Sequence, residues 1–168
     1  MDFIVPRPAS QAFGTALCAE FFQIAYVTND IERACEVFAS NYSIASFTPL
    51  EQDTPGGGLL KMRLAWAGGV MIELIEARGA GAELYNGVLP AEGFAIRHHH
   101  VGYLVADDRE WQALQNTLEE KGMPIEFGSN LDGVLRFIYV RSPELGHYLE
   151  YVQLYEAGKG IMQGVAAN

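Results

Sequence analysis

The strongest constraint on how this chain folds is an internal repeat. FQIAYVTNDIERACEVF, residues 22–38, aligns with HHVGYLVADDREWQALQ, residues 99–115, so that Gln23 meets His100, Tyr26 meets Tyr103 and Asp30 meets Asp107. A second pair of segments, AGGVMIELIEA and ELGHYLEYVQL, sets Gly69 against Gly146 and Glu73 against Glu150 at the same offset of 77 residues. Chance matches in separate segments need different shifts, so the shared offset marks two copies of one unit.

Each copy reads the same way. An apolar, aromatic strand (21–28; 98–105) is followed by an Asp in helix N-cap position. Next comes a helix whose apolar residues recur at helical spacing, Ile31, Cys35 and Phe38 in the first copy. Three shorter strands close each unit, near 44–49, 58–66 and 70–76, then near 124–127, 134–140 and 147–154. The expected class is α+β: two βαβββ modules, 21–77 and 97–154, in one domain overall. A linker with a short helix spans 78–96. An N-terminal arm covers 1–20 and a C-terminal tail 155–168.

Composition narrows the partners. The formal charge of −10 repels phosphate backbones, which argues against nucleic acid. No apolar run approaches the roughly 20 residues of a membrane-crossing helix, so no membrane partner is expected. Cys18 and Cys35 form no CxxC or disulfide framework, and the compartment expected is cytoplasmic.

Alternation along strands locates a candidate site. Gln23 shares a face with Ala25 and Val27, His100 shares one with His98 and Gly102, and Glu73 and Glu150 each interrupt an apolar face. A buried carboxylate without a partner is costly, so both glutamates ask for a cation or a proton. If the modules pack about a pseudo-twofold axis, Gln23, Glu73, His100 and Glu150 meet around a central cavity. That set suits one divalent metal ion, Zn, Ni, Co, Mn or Fe. By the same alternation His99 points to the opposite face. Glu76 reads as a solvated turn carboxylate.

Strands carrying QIAYVTNDIERA and HVGYLVADDREW, each coupled to a glutamate on its module's last strand, resemble the vicinal oxygen chelate superfamily, the glyoxalase, bleomycin-resistance and dioxygenase group. The likeness is nearest to glyoxalase I and methylmalonyl-CoA epimerase-like members, and spans residues 21–154. The resemblance implies a glyoxalase-like open β-barrel or sheet around a central metal cavity, with metal positions at Gln23, Glu73, His100 and Glu150. It also implies a homodimer. The epimerases carry His where this chain has Gln23, and Gln where it has Glu73.

The expected chemistry is that of a divalent-metal-dependent lyase or isomerase (epimerase). Such an enzyme polarises the carbonyl of a small carbonyl or thioester substrate and moves an α-proton through a metal-stabilised enolate. Glu150 is the expected base, with Glu73 as ligand and second proton carrier. Arg136, Lys61, Arg63 and His98 are candidate contacts to an anionic substrate tail. The alternative is a non-catalytic small-molecule binding or sequestration protein of the same fold. A third reading, an extradiol-type dioxygenase, fits less well, because such iron sites use two histidines and one carboxylate.

Overall fold

The computed structural model describes residues 20–54 and 56–168. The first module runs β1 (Glu20–Thr28), α1 (Ile31–Tyr42), β2 (Thr48–Asp53), β3 (Leu59–Ala67) and β4 (Val70–Arg78). A short α2 (Glu83–Asn86) occupies the connection. The second module repeats the plan with β5 (Ile96–Leu104), α3 (Asp108–Glu120), β6 (Ile125–Leu131), β7 (Leu135–Ser142) and β8 (His147–Leu154), before a final α4 (Glu156–Gln163). The expected N-terminal arm lies, but for Glu20, outside the described residues. No helix among the described residues is long and apolar enough to cross a membrane.

The eight strands among the described residues join one mixed sheet in the order β2-β3-β4-β1-β5-β8-β7-β6. Within each module the first strand pairs in parallel with the last, β1 with β4 and β5 with β8. The modules join where β1 and β5 run antiparallel, the only pairing that relates two copies by a local twofold.

The module helices α1 and α3 lie on one face of the sheet and start in the same way. Asp30 Oδ1 accepts the Arg33 amide at 3.1 Å, and Asp107 Oδ1 accepts the Glu110 amide at 2.8 Å. Each bond satisfies an otherwise orphaned donor of a first turn. Ile31, Ala34 and Phe38 of α1 pack on Ala65 and Leu74, while Trp111 and Leu118 of α3 pack on Val140 and Leu149. Glu76 is buried, not solvated as expected. Its Oε2 accepts the Ile31 amide at 2.9 Å and its Oε1 pairs with Arg78 at 2.6 Å, so the positive end of α1 and a guanidinium balance its charge.

The expected first short strand is displaced, from 44–49 to Thr48–Asp53. Ser43 leaves α1 in the left-handed region, φ 60°, and Ile44 and Phe47 pack under the helix rather than entering the sheet. Asn168 Oδ1 then accepts the amides of Ala45 and Ser46. The final residues thus cross from the second module to the first, where the Trp66 amide also donates to the Ala166 carbonyl at 2.7 Å.

Candidate metal and proton-transfer site

The concave face of the sheet is free of α1 and α3 and encloses a cavity of about 520 Å³. Its polar centre is built by strand register. Gln23 stands beside Met71 and Ala25 beside Glu73, while His100 stands beside Tyr148 and Gly102 beside Glu150. Every member of the first set lies 77 positions before its counterpart in the second, so the repeat seen in sequence is a repeat of side-chain placement.

Two β-bulges shape this centre. Pairing of β1 with β5 passes from Phe21 to Gln23 while its partner advances one residue, and from His100 to His98 while β1 advances one. The extra residues are Phe22 and His99, themselves one repeat apart, and each precedes a candidate ligand. A bulge breaks strict alternation and re-aims side chains. Phe22 and Gln23 are therefore both buried, as are His99 and His100.

Glycine at position 102 permits the close crossing of the two modules. A Cβ there would lie 2.6 Å from Gln23 Oε1 and 3.0 Å from Phe22 Cε1.

His100 Nε2 lies 3.1 Å from Glu150 Oε2 and 3.4 Å from Glu73 Oε2, and the Gln23 amide donates to Glu73 Oε2 at 2.7 Å. Burial raises the pKa of Glu73, against the lowering effect of His100 beside it. For His100, burial alone would lower the value. The charge of Glu150 and the contacts to both glutamates outweigh burial and raise it from 6.5 to about 9. Without a metal, the site holds a proton on an imidazole between two carboxylates.

His99, expected on the opposite face, completes the site. Its Nε2 lies 3.1 Å from the Leu84 carbonyl and its Nδ1 lies 2.9 Å from His100 Nδ1. Burial, then the His100 charge, lower its pKa to about 3, so it is neutral. A carbonyl only accepts, so the His99 proton sits on Nε2 and His99 Nδ1 accepts from His100 Nδ1. Neutral His100 then presents a bare Nε2 lone pair to the glutamates, the form in which imidazole binds metals.

Several observations fit a divalent ion. His100 Nε2 is fully buried and has no aligned hydrogen-bond partner. Its spacings to the two carboxylates approach the roughly 3.3 Å edge of a tetrahedron with bonds of about 2.0 Å. One imidazole and two carboxylates are an ordinary donor set for Zn²⁺ or Mn²⁺. Among the described residues no group of three or more His, Cys, Asp or Glu side chains already stands in metal-holding geometry. Gln23 presents Nε2 to Glu73. To serve as a ligand its amide must turn its oxygen inward.

The other candidate residues do not reach this centre. Lys61 and Arg63 alternate with Leu60, Met62 and Leu64, which line the cavity, so both sit on the helix-bearing face. Arg63 pairs there with Glu32 of α1 at 2.6 Å. Arg136 lies between the cavity residues Leu135 and Phe137, pairs with Asp108 at 2.6 Å and stacks over Trp111. His98 packs against Tyr26 and His147, because the bulge at His99 reverses its side.

Sequence reading also missed an aromatic wall. Tyr85 and Tyr148 flank His99, and the Tyr139 ring lies 5.0 Å from that of His100. Burial keeps the Tyr139 phenol protonated well beyond its ordinary range. In sequence Tyr139 is one aromatic residue in an apolar strand, with no mark to separate it from core. The HHH run did flag His99, but alternation assigned it to the wrong side.

No protein-family model matches this chain, and no curated protein matches its sequence. Solved structures do match its shape. Methylmalonyl-CoA epimerase from Mycobacterium tuberculosis superposes with a TM-score of 0.59 at 11% identity, over 88% of this chain and 95% of that one. A Streptomyces coelicolor methylmalonyl-CoA epimerase variant in complex with 2-nitronate-propionyl-CoA gives 0.57 at 15% identity, over 81% and 97%. A methylmalonyl-CoA epimerase in complex with methylmalonyl-CoA and NH4+ gives 0.58 at 15% identity, over 83% and 96%.

The fold is therefore that of the glyoxalase, or vicinal oxygen chelate, proteins. Among solved structures with this fold, the methylmalonyl-CoA epimerases are neighbours of this chain.

Proposed function

We propose that this chain is a metal-dependent, epimerase- or glyoxalase-like enzyme that moves a proton on the carbon next to a substrate carbonyl. The observation that carries this reading is the convergence of His100 Nε2 on Glu73 and Glu150, two carboxylates that line a cavity walled largely by apolar side chains. His100, Glu73 and Glu150 would hold the ion, with Gln23 as a fourth donor once its amide turns. When bound, the ion supplies Lewis-acid polarisation of the carbonyl.

The chain's own residues supply the rest. Glu150 takes the α-proton, the C–H electron pair moves into the enolate, and the carbonyl oxygen gains the charge. Glu73, the equivalent carboxyl of the other module, carries the second proton and returns it to carbon. Return from the opposite side inverts the centre; return to the neighbouring carbon isomerises the substrate. Gln23 fixes the Glu73 carboxyl, and the aromatic wall excludes water that would protonate the enolate indiscriminately. The fold neighbours crystallised with coenzyme A thioesters support acid chemistry next to a carbonyl as the reaction class.

Elemental analysis of the purified chain, followed by deuterium uptake from solvent into α-protons of thioesters, hydroxyketones and hemithioacetals, tests this reading. Stoichiometric divalent metal, lost in Glu150→Gln along with deuterium uptake, is the expected result. A metal-free protein that binds ligand unchanged in that variant would identify a sequestration protein. The large apolar cavity is the feature that favours that second reading.

A further inference from the structure

We infer that the cavity selects an uncharged, apolar carbonyl compound and rejects substrates with a carboxylate or phosphate tail, coenzyme A thioesters included. This inference rests on the carbonyl-binding reading of the site. At about 520 Å³ the cavity falls within the usual range for small-molecule sites, about 300–1,000 Å³. Its walls are hydrocarbon and aromatic from both modules, among them Phe22, Leu60, Met62, Phe127 and Phe137.

The charges around it all have one sign. Beyond buried Glu73 and Glu150, the charged lining residues are Asp53, Glu83 and Glu126, three exposed carboxylates drawn from β2, α2 and β6. Among the described residues no Lys or Arg lines the cavity. All but Arg7 of the eleven Lys and Arg are described; Lys61 sits on the helix-bearing face of β3, and several others are committed elsewhere. Arg63 and Arg136 are tied to Glu32 and Asp108 on the helix-bearing face, Arg78 to Glu76, and Arg33 lies over the Phe94 ring.

Carboxylate and phosphate recognition depends on cationic side chains or helix N-termini aimed at the anion. Here an anionic tail would meet three like charges at the mouth and the field of a protein of charge −10. An uncharged aryl or alkyl substituent meets none of this and fills the apolar walls.

The test titrates three probes calorimetrically into the full chain, both Mn²⁺-loaded and metal-free: α-hydroxyacetophenone, the same molecule carrying a ring carboxylate, and propionyl-CoA. The neutral probe should bind at least about tenfold more tightly than its carboxylated analogue, and propionyl-CoA should show no saturable binding. The gap should narrow towards 1 M salt, where the Debye length is about 3 Å. It should also narrow in the Glu83→Lys/Glu126→Lys double variant. Propionyl-CoA binding as tightly as the neutral probe, or no binding of the neutral probe to either form, overturns the inference.

The ranking is read from binding, not turnover. Absence of deuterium uptake into a bound neutral probe would therefore defeat the proton-transfer reading while leaving charge selection intact.

Discussion

His99 and His100 are joined through their Nδ1 atoms at 2.9 Å, so one imidazole sets the protonation pattern of the next. The chain Leu84 carbonyl, His99, His100 turns His100 Nε2, a free lone pair only once its proton has left, towards Glu73 and Glu150. Partners behind a ligand histidine are worth about 10–100-fold in metal affinity. His99→Phe should lose that much in a competition titration against a chelator, with an unchanged circular dichroism spectrum. At saturating metal, turnover should return close to the original rate. A variant with full affinity would show the relay to be packing only.

Stability of the metal-free chain should depend on pH through His100. Its pKa is raised from 6.5 to about 9, so its pairing with the glutamates contributes fully below about pH 6.5 and is lost as pH rises through about 9. Denaturation midpoints in the presence of a chelator should fall across that window. With metal bound the ion replaces the proton and the slope should flatten. A level profile for the metal-free chain would contradict the ion-pair geometry.

Gly102→Ala places a methyl 2.6 Å from Gln23 Oε1 and 2.8 Å from Gln23 Cβ. Such overpacking costs about 1–3 kcal/mol, measurable by chemical denaturation. Adding Gln23→Ala should recover part of the loss, because that side chain is the main obstacle. No recovery would place the strain in Phe22 or in the β1–β5 backbone instead.

Arg136→Ala should leave binding of α-hydroxyacetophenone within about twofold, since the guanidinium faces α3. Its stacking on Trp111 and its half-exposed ion pair together are worth about 1 kcal/mol of stability. A tenfold loss of affinity at unchanged stability would return Arg136 to the list of substrate contacts.

Much of the fold could be read from the chain because the repeat fixes strand count, helix placement and the pairing of Gln23, Glu73, His100 and Glu150. What could not be read depends on departures from regular alternation and on contacts distant in sequence. The bulge at His99 is invisible in a run of three identical residues, so His98 and His99 exchanged sides. Lys61, Arg63 and Arg136 follow the alternation of their strands, and their neighbours Leu60, Met62 and Phe137 face the cavity. The buried role of Glu76 depends on an amide 45 residues away, which no local pattern encodes.

The extra residue in β5 also says why the run counts three histidines. Removing one would take out the bulge at His99, leave that at Phe22 and still place an imidazole opposite Ala25, but its neighbour would then turn away to the helix layer. A chain shortened by one residue there is expected to keep its strand order while losing the His99–His100 contact. In this protein, a backbone irregularity and the pairing of two buried imidazoles are the same feature.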